Sequence, residues 1–354
     1  MTMLISIVSF LIVIVVLILA HEVGHLITAK VSRVRVDEFG LGFPPRLLSI
    51  KWGETMYSLN AIPLGGFVKM AGEEDPKVPR SLASKSIGTR LLVLISGSLM
   101  NAILPILLFS IAFMVPHSLV IGSVVVEEVV RNSPAAKAGI ESGDEIVSIN
   151  DKPVRNISDV HRYIQFNLGE EIAMVVDRGD LTTEEMQVIP RWRPPEGQGA
   201  VGIAVGMSDP VVVSQQYPIW KAIPMGAGEL IETFGLFKNG ILSMIIGTAP
   251  AAVVGPVGIA QMTGEVAQAG ISPLLEFAAF LSINLAIINM LPLPALDGGR
   301  VAFVLVEGVR RGKRVSPKTE GLVHLIGFTM LMALFLLITY QDIIRIIGGE
   351  SFIP

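Results

Sequence analysis

Residues 3–20 carry no charge and no proline, a length of apolar chain that spans a bilayer as one helix. The run continues through Leu19-Ala20-His21-Glu22-Val23-Gly24-His25-Leu26-Ile27-Thr28-Ala29. Residues 3–29 therefore read as a first span with three ionisable side chains at its far end. Such groups are expensive in a span and mark function. Histidines at i and i+4 share one helical face. In H-E-x-x-H the two imidazoles hold a metal ion and the glutamate serves as general base. The alternative, two histidines packed or snorkelling at a helix end, leaves the cost of three such groups at ligand spacing unexplained.

The rest of the chain is biased the same way. Of 354 residues, 51% are hydrophobic and 16% charged, against about 25% charged in soluble domains. That is the composition of a multi-span membrane protein with some soluble content. A net charge of −4 gives no footprint for nucleic acid. The absence of cysteine excludes disulfides, thiolate zinc sites and cysteine nucleophiles, so a metal must be held by His, Asp or Glu. No Lys or Arg precedes Lys30, and a cleavable signal peptide is not expected.

Residues 1–30 are thus the first transmembrane helix, and residues 31–90 a cytoplasmic or re-entrant β region. Within it, 34–43 and 56–70 alternate apolar and polar residues and are rich in Gly and Pro, the pattern of short strands and turns. Phe39-Gly40-Leu41-Gly42-Phe43 fits a hairpin dipping beside the first helix, and a small soluble sheet fits the pattern equally. Residues 91–116 form the second span, where Gly97 and Ser98 suit close helix contact and Asn101 is expected to face the first helix. In 117–193, β-like runs at 123–130, 145–150 and 172–176 indicate an inserted domain with soluble character, in which His161 reads as solvated. Residues 194–273 read as a linker, a strand at 200–205, an amphipathic helix at 222–247 carrying Glu229, Glu232 and Lys238, and a loop at Gly255-Pro256-Val257-Gly258-Ile259-Ala260.

The third membrane segment, 274–312, spans at 274–291, with Asn284 and Asn289 inside. It then meets Pro292-Leu293-Pro294-Ala295-Leu296-Asp297-Gly298-Gly299-Arg300. The prolines break helix, and unwound backbone at membrane depth is tolerated only when buried in protein or lining a cavity. Asp297 is the one carboxylate between Glu276 and Glu307 and so the obvious third ligand; the alternative is a helix cap with no metal. Residues 313–354 complete a basic turn and hold the fourth span, 322–338, and a tail. His324, near the start of that span, reads as interfacial. By the positive-inside rule the basic segments 30–90 and 310–318 face the cytoplasm. The N-terminus and the inserted domain then lie on the other side, and His21, His25 and Asp297 fall at one depth.

These residues together resemble the site-2 protease family, and most closely its bacterial regulator-of-sigma-E protease branch. The resemblance is carried by His21-Glu22-Val23-Gly24-His25, by Asn289-Met290-Leu291-Pro292-Leu293-Pro294-Ala295-Leu296-Asp297-Gly298-Gly299 and by Pro63-Leu64-Gly65-Gly66-Phe67-Val68-Lys69-Met70. A run S-P-A-x-x-A-G-I-x-x-G-D beginning at Ser133 looks like a bacterial PDZ domain. The resemblance implies an α-helical membrane protein of four transmembrane helices, with a membrane-associated β hairpin or sheet and an inserted α+β PDZ domain at 117–193. It implies a zinc-dependent intramembrane endopeptidase with Zn²⁺ on His21, His25 and Asp297, Glu22 catalytic, and Asn284 and Asn289 holding the substrate strand. Its substrates would be single-span transmembrane proteins of the anti-sigma-factor type, or remnant signal peptides, cut in regulated intramembrane proteolysis. The implied location is the bacterial inner membrane, among its lipids, with the PDZ domain outside the cytoplasm and peptide C-termini as its ligands. At Gly97-Ser98-Leu99-Met100-Asn101, serine stands where the family's G-P-x-x-N element has proline. Two readings from other classes use the same residues. One is a non-catalytic membrane-anchored PDZ scaffold with a structural metal, which a fourth protein ligand would favour. The other is a zinc transporter, which needs a polar path, and apart from the motifs these spans offer few polar groups.

Overall fold

A computed structural model describes residues 2–73, 75–179, 182–248 and 254–348. The chain forms two compact units, one of Met1–Ala112 with Val253–Pro354 and one of Phe113–Ala252. The first unit opens with α1 (Thr2–Val31), β1 (Val36–Trp52), β2 (Thr55–Met70) and α2 (Ile87–Met114). The second holds β3 (His117–Val129), α3 (Pro134–Ala138), β4 (Glu145–Ile149), β5 (Lys152–Pro153), α4 (Ile157–Phe166), β6 (Ile172–Asp177), β7 (Thr183–Val188), β8 (Ile203–Gln215) and α5 (Ile219–Ile246). The chain then returns to the first unit with α6 (Pro256–Ala269), α7 (Ile271–Met290), α8 (Asp297–Val309) and α9 (Pro317–Ile347).

Among the described residues, four helices are long and apolar enough to cross a membrane: α1, α2, α7 and α9. Their ends reach past the apolar stretches because polar first turns remain helical. In α9, Ser316 caps by accepting from the Thr319 amide and Pro317 occupies the first turn, where a missing N–H costs nothing. The same rule corrects one expectation. Residues 256–260, read as a loop from their glycines and proline, are the first turns of α6, with Gly255 as N-cap and Pro256 at its start. The strand read at 200–205 begins at Ile203 and runs on to Gln215, 13 residues paired with β3. The tail beyond residue 348 lies outside the described residues.

In the first unit, β1 and β2 pair antiparallel and the ladder doubles back. Phe39 pairs with both Val68 and Tyr57, and Leu41 with both Gly66 and Leu59. The first half of β1 is thus flanked on both sides, while residues 66–70 of β2 form an outer strip. The base of this hairpin, the end of α1, the start of α2 and α8 meet in one apolar core of Ala29, Val34, Val36, Met70, Val93 and Val304. Each fully buried valine there contributes about 1.5–3 kcal/mol. The core holds the H-E-x-x-H end of α1 against everything that surrounds it.

The second unit is built on an antiparallel sheet of order β7-β6-β4-β3-β8, with β5 on β4. Its strands alternate inward and outward, and Val124, Val126, Ile146, Ile149, Ile172 and Met174 form the core. Both short helices are capped by the residues that physics prefers. Ser133 accepts from Ala136 N, Gly139 closes α3 at φ 87°, and Asn156 accepts from Asp159 N to open α4. Helix α5 is fastened to α4: Arg162 pairs with Glu229 and Glu232, and Asn239 donates to the carbonyls of Gln165 and Phe166. Glu229 and Glu232 are thus spent on protein, and α5 is not among the helices apolar enough to span. His161 is exposed.

Candidate metal centre

Helix α1 presents His21, Glu22 and His25 in a stretch that is buried although polar. It can do so because α2 comes unusually close. A methyl on Gly24 would overlap the Ser96 carbonyl, and a methyl on Gly97 would overlap the His25 ring and sit 2.8 Å from His21 Cε1. The paired glycines let the α2 backbone reach the imidazoles. His25 Nδ1 donates to the Val93 carbonyl at 2.8 Å, which fixes the ring and leaves Nε2 facing the site. His21 Nδ1 lies 3.4 Å from Asn101 Nδ2, so Asn101 does face the first helix, as its polarity requires. The Asn101 carbonyl in turn accepts from Ser282 Oγ of α7 at 2.8 Å, tying three helices together at this depth.

Asp297 arrives from the other half of the unit. Pro292 and Pro294 end α7, and the chain turns sharply: Leu293 N donates to Leu291 O and Leu296 N to Leu293 O. Ala295 takes φ 74°, a left-handed conformation that costs an alanine about 1–2 kcal/mol and persists only where its surroundings impose it. Two surroundings do so. Its amide donates to His324 Nδ1 of α9 at 2.9 Å, and Pro294 presses on α9 where Gly327 has no side chain. Gly298 and Gly299 then let α8 start directly against the carbonyls of Met290, Leu291 and Leu293. The result is a carboxylate held at the first residue of α8.

His21 Nε2 and Asp297 Oδ2 are 3.0 Å apart, His25 Nε2 and Asp297 Oδ2 3.1 Å, and the two Nε2 atoms 3.3 Å. Ligand atoms at tetrahedral bonding distance from zinc lie about 3.3 Å from one another, so the triangle has the size such an ion needs. The donor set also fits, two imidazole nitrogens and one carboxylate oxygen. Among the described residues no fourth His, Asp or Glu ligand atom joins these three. The triangle opens on a cavity of about 470 Å³ that Glu22, residues 66–70 of β2, Asn289 and Arg300 also line. Glu22 packs against the β2 strip so closely that a methyl on Gly66 would lie 2.7 Å from its Cγ.

Of the residues read from sequence, the fold brings His21, Glu22, His25, Asp297 and Asn289 to this cavity. Asn284 is not among its lining residues; it is half-buried and donates to the Phe280 carbonyl. Three participants went unread. Arg300 lines the cavity and pairs with Glu73 at 2.6 Å, and Glu73 accepts from Met70 N, so α8 is tied to the end of the β2 strip. His324, expected at an interface, instead holds the backbone two residues before Asp297. The signal for Arg300 lay in its place three residues after Asp297; His324 gave none.

Comparison with known proteins settles the class. Residues 9–334 match the model of Peptidase family M50. The chain belongs to peptidase family M50. A Clostridium acetobutylicum protein named as a zinc metalloprotease is 37% identical over 332 residues, covering 93% of this chain and 94% of its own. The zinc metalloprotease RasP of Geobacillus kaustophilus is 30% identical, covering 96% of this chain and 97% of its own. The regulator of sigma-W protease RasP of Bacillus subtilis is 28% identical, with 96% and 99% covered. The RasP alignments run over 426 and 424 residues, more than the 354 of this chain, so those relatives carry segments absent here. As a family M50, site-2-protease-type member, the protein is a zinc-dependent metalloprotease, and its four apolar helices make it a multi-pass membrane protein. That membership speaks against the scaffold reading.

Proposed function

We propose that His21, His25 and Asp297 hold the zinc ion, that Glu22 is the general base, and that the protein cuts single-span transmembrane substrates within the bilayer. The observation that carries this reading is the 3.0–3.3 Å triangle of ligand atoms built from two helices 272 residues apart in sequence. Bound zinc supplies Lewis-acid polarisation of a peptide carbonyl and makes water more acidic at neutral pH. The chain's own residues do the rest. With Nδ1–H on the Val93 carbonyl, His25 keeps its Nε2 lone pair free. His21 needs the same tautomer, and half a turn of the Asn101 amide supplies the acceptor. Asn101 Oδ1, buried without a partner among the described residues, then accepts a hydrogen bond from His21 Nδ1–H. Glu22 takes a proton from the attacking water on its carboxylate and returns it to the leaving amine, a transfer that contributes about 10²–10⁴ in rate.

A transmembrane helix has its carbonyls already bonded, so a substrate must unwind to be cut. The β2 strip at 66–70 lies along the cavity, where an extended segment can add as a strand and regain backbone hydrogen bonds. Asn289 is the proposed side-chain partner for that strand from α7; Asn284 would serve only farther along it. The sheet unit is proposed to be a PDZ domain on the extracytoplasmic side, facing peptide C-termini or bulky outer domains, with the enzyme in the bacterial inner membrane. The name of the Bacillus subtilis relative, a regulator of sigma-W protease, favours anti-sigma-type substrates over remnant signal peptides.

Glu22→Gln is expected to keep zinc and lower cleavage of a transmembrane reporter by at least about 10². Asp297→Ala is expected to lose both. Elemental analysis and reporter cleavage on the same purified samples test this; wild-type cleavage by Glu22→Gln would remove the base assignment.

A further inference from the structure

We propose that His324 is a positioning residue for the metal centre: by accepting the Ala295 amide it holds the turn that aims the Asp297 carboxylate. This rests on the reading of Asp297 as a ligand. Helix α9 is mostly exposed, and Gly327 and Asp342 are its buried residues. Gly327 and His324 lie one helical turn apart and act on the same turn of chain. Gly327 receives Pro294 and His324 Nδ1 receives the Ala295 N–H at 2.9 Å. The His324 ring also lies against Phe303 of α8, with ring centroids 5.5 Å apart. One side chain thus touches both the backbone just before Asp297 and the helix that Asp297 begins.

The other ring nitrogen makes the case for function over packing. His324 Nε2 is buried with no hydrogen-bond partner among the described residues. A buried, unpaired polar atom is a cost that an apolar side chain of similar size would avoid. The cost is kept at a position whose one hydrogen bond among the described residues is from Ala295, the left-handed residue that the surroundings must impose. Accepting at Nδ1 requires the proton on Nε2, so the bond to Ala295 and the orphaned Nε2–H are two consequences of one tautomer. Groups that orient a ligand from behind typically change metal affinity or activity by about 10–100-fold when removed.

The test compares two amides of equal polarity in the full chain, purified in detergent. An Asn side chain places its oxygen near Nδ1, and a Gln side chain places its polar end near Nε2. His324→Leu and His324→Gln are expected to lose zinc to a competing chelator about tenfold more readily than wild type, and to lower kcat with KM unchanged. His324→Asn is expected to recover most of both. Zinc retention by His324→Leu and His324→Gln equal to wild type overturns the proposal. So does a His324→Asn variant as impaired as His324→Gln, which would reduce the ring to packing. Asp297→Ala is the reference arm. If it keeps zinc, the ligand reading has failed; if it loses zinc while His324→Gln keeps it, the positioning role alone has failed.

Discussion

Gly97 shows how little room a single residue has at this site. Its missing side chain is where the two imidazoles lie, so any Cβ displaces the His25 ring, crowds His21, or pushes α2 off α1. Overpacking of this kind costs about 1–3 kcal/mol, and here the strain falls on the two imidazoles. Gly97→Ala is therefore expected to fold, to span the membrane and to bind zinc at least about tenfold more weakly, since each 1.4 kcal/mol is a factor of ten. Gly88→Ala, on the same helix with open space around it, is the control, expected to match wild type in a chelator competition. At this scale the sequence was informative where chemistry dictates residue type and spacing. His21 and His25 announce themselves as a pair, and Asp297 stands out as a lone carboxylate after two prolines. Nothing comparable marks the Val93 carbonyl, because any residue has one. His324 was unreadable for a related reason: its partner is a backbone amide 29 residues away, and no local pattern encodes that meeting.

Between elements, the connection that fixes α8 is a buried ion pair. Arg90 at the start of α2 donates to Glu307 Oε2 at 2.6 Å, and Arg314 of the basic turn binds Glu307 Oε1 at 3.1 Å. Glu307 is buried and sits near the end of the helix that begins with Asp297. Burial alone would push its carboxyl up, and the two guanidinium groups instead hold it below the usual carboxylate range. A depressed carboxylate stabilises the fold above its unfolded pKa of about 4.3, and that contribution is lost as pH falls through the lower folded value. Removing one member of a buried pair leaves the other uncompensated, at a cost of about 3–5 kcal/mol. Glu307→Leu is thus expected to lower the thermal unfolding temperature in detergent and to flatten the acid limb of stability against pH. An unchanged melting temperature would show the pair to be dispensable. At the element scale the spans were legible because bilayer thickness sets their length. Helix α6 was not, because Gly255 and Pro256 signal a turn and a helix start with the same residues. The buried Asp342 carboxylate that accepts from Gly255 N and Gly258 N lies 84 or more residues away, so the sequence around α6 gives no hint of that cap.

For the whole molecule, charge decides orientation. The segment between α1 and α2 and the basic turn before α9 carry the short-range Lys and Arg excess, while the long segment between α2 and α7 translocates largely regardless of its charges. On the proposed topology four alternating spans put both basic segments in the cytoplasm and the sheet unit outside. That topology is directly measurable because the chain contains no cysteine, so each introduced thiol is the sole label site. Lys77→Cys lies in the first basic segment and Lys137→Cys in the sheet unit, and both positions are exposed. In right-side-out vesicles an impermeant maleimide is expected to label Lys137→Cys and spare Lys77→Cys, and in inverted vesicles the order should reverse. Labelling of both from one side would break the alternation and with it the argument that α1 and α8 bring His21, His25 and Asp297 together near the cytoplasmic face. Labelling in the opposite sense would keep the centre intact and turn the enzyme over, so that the sheet unit would meet cytoplasmic rather than external parts of a substrate.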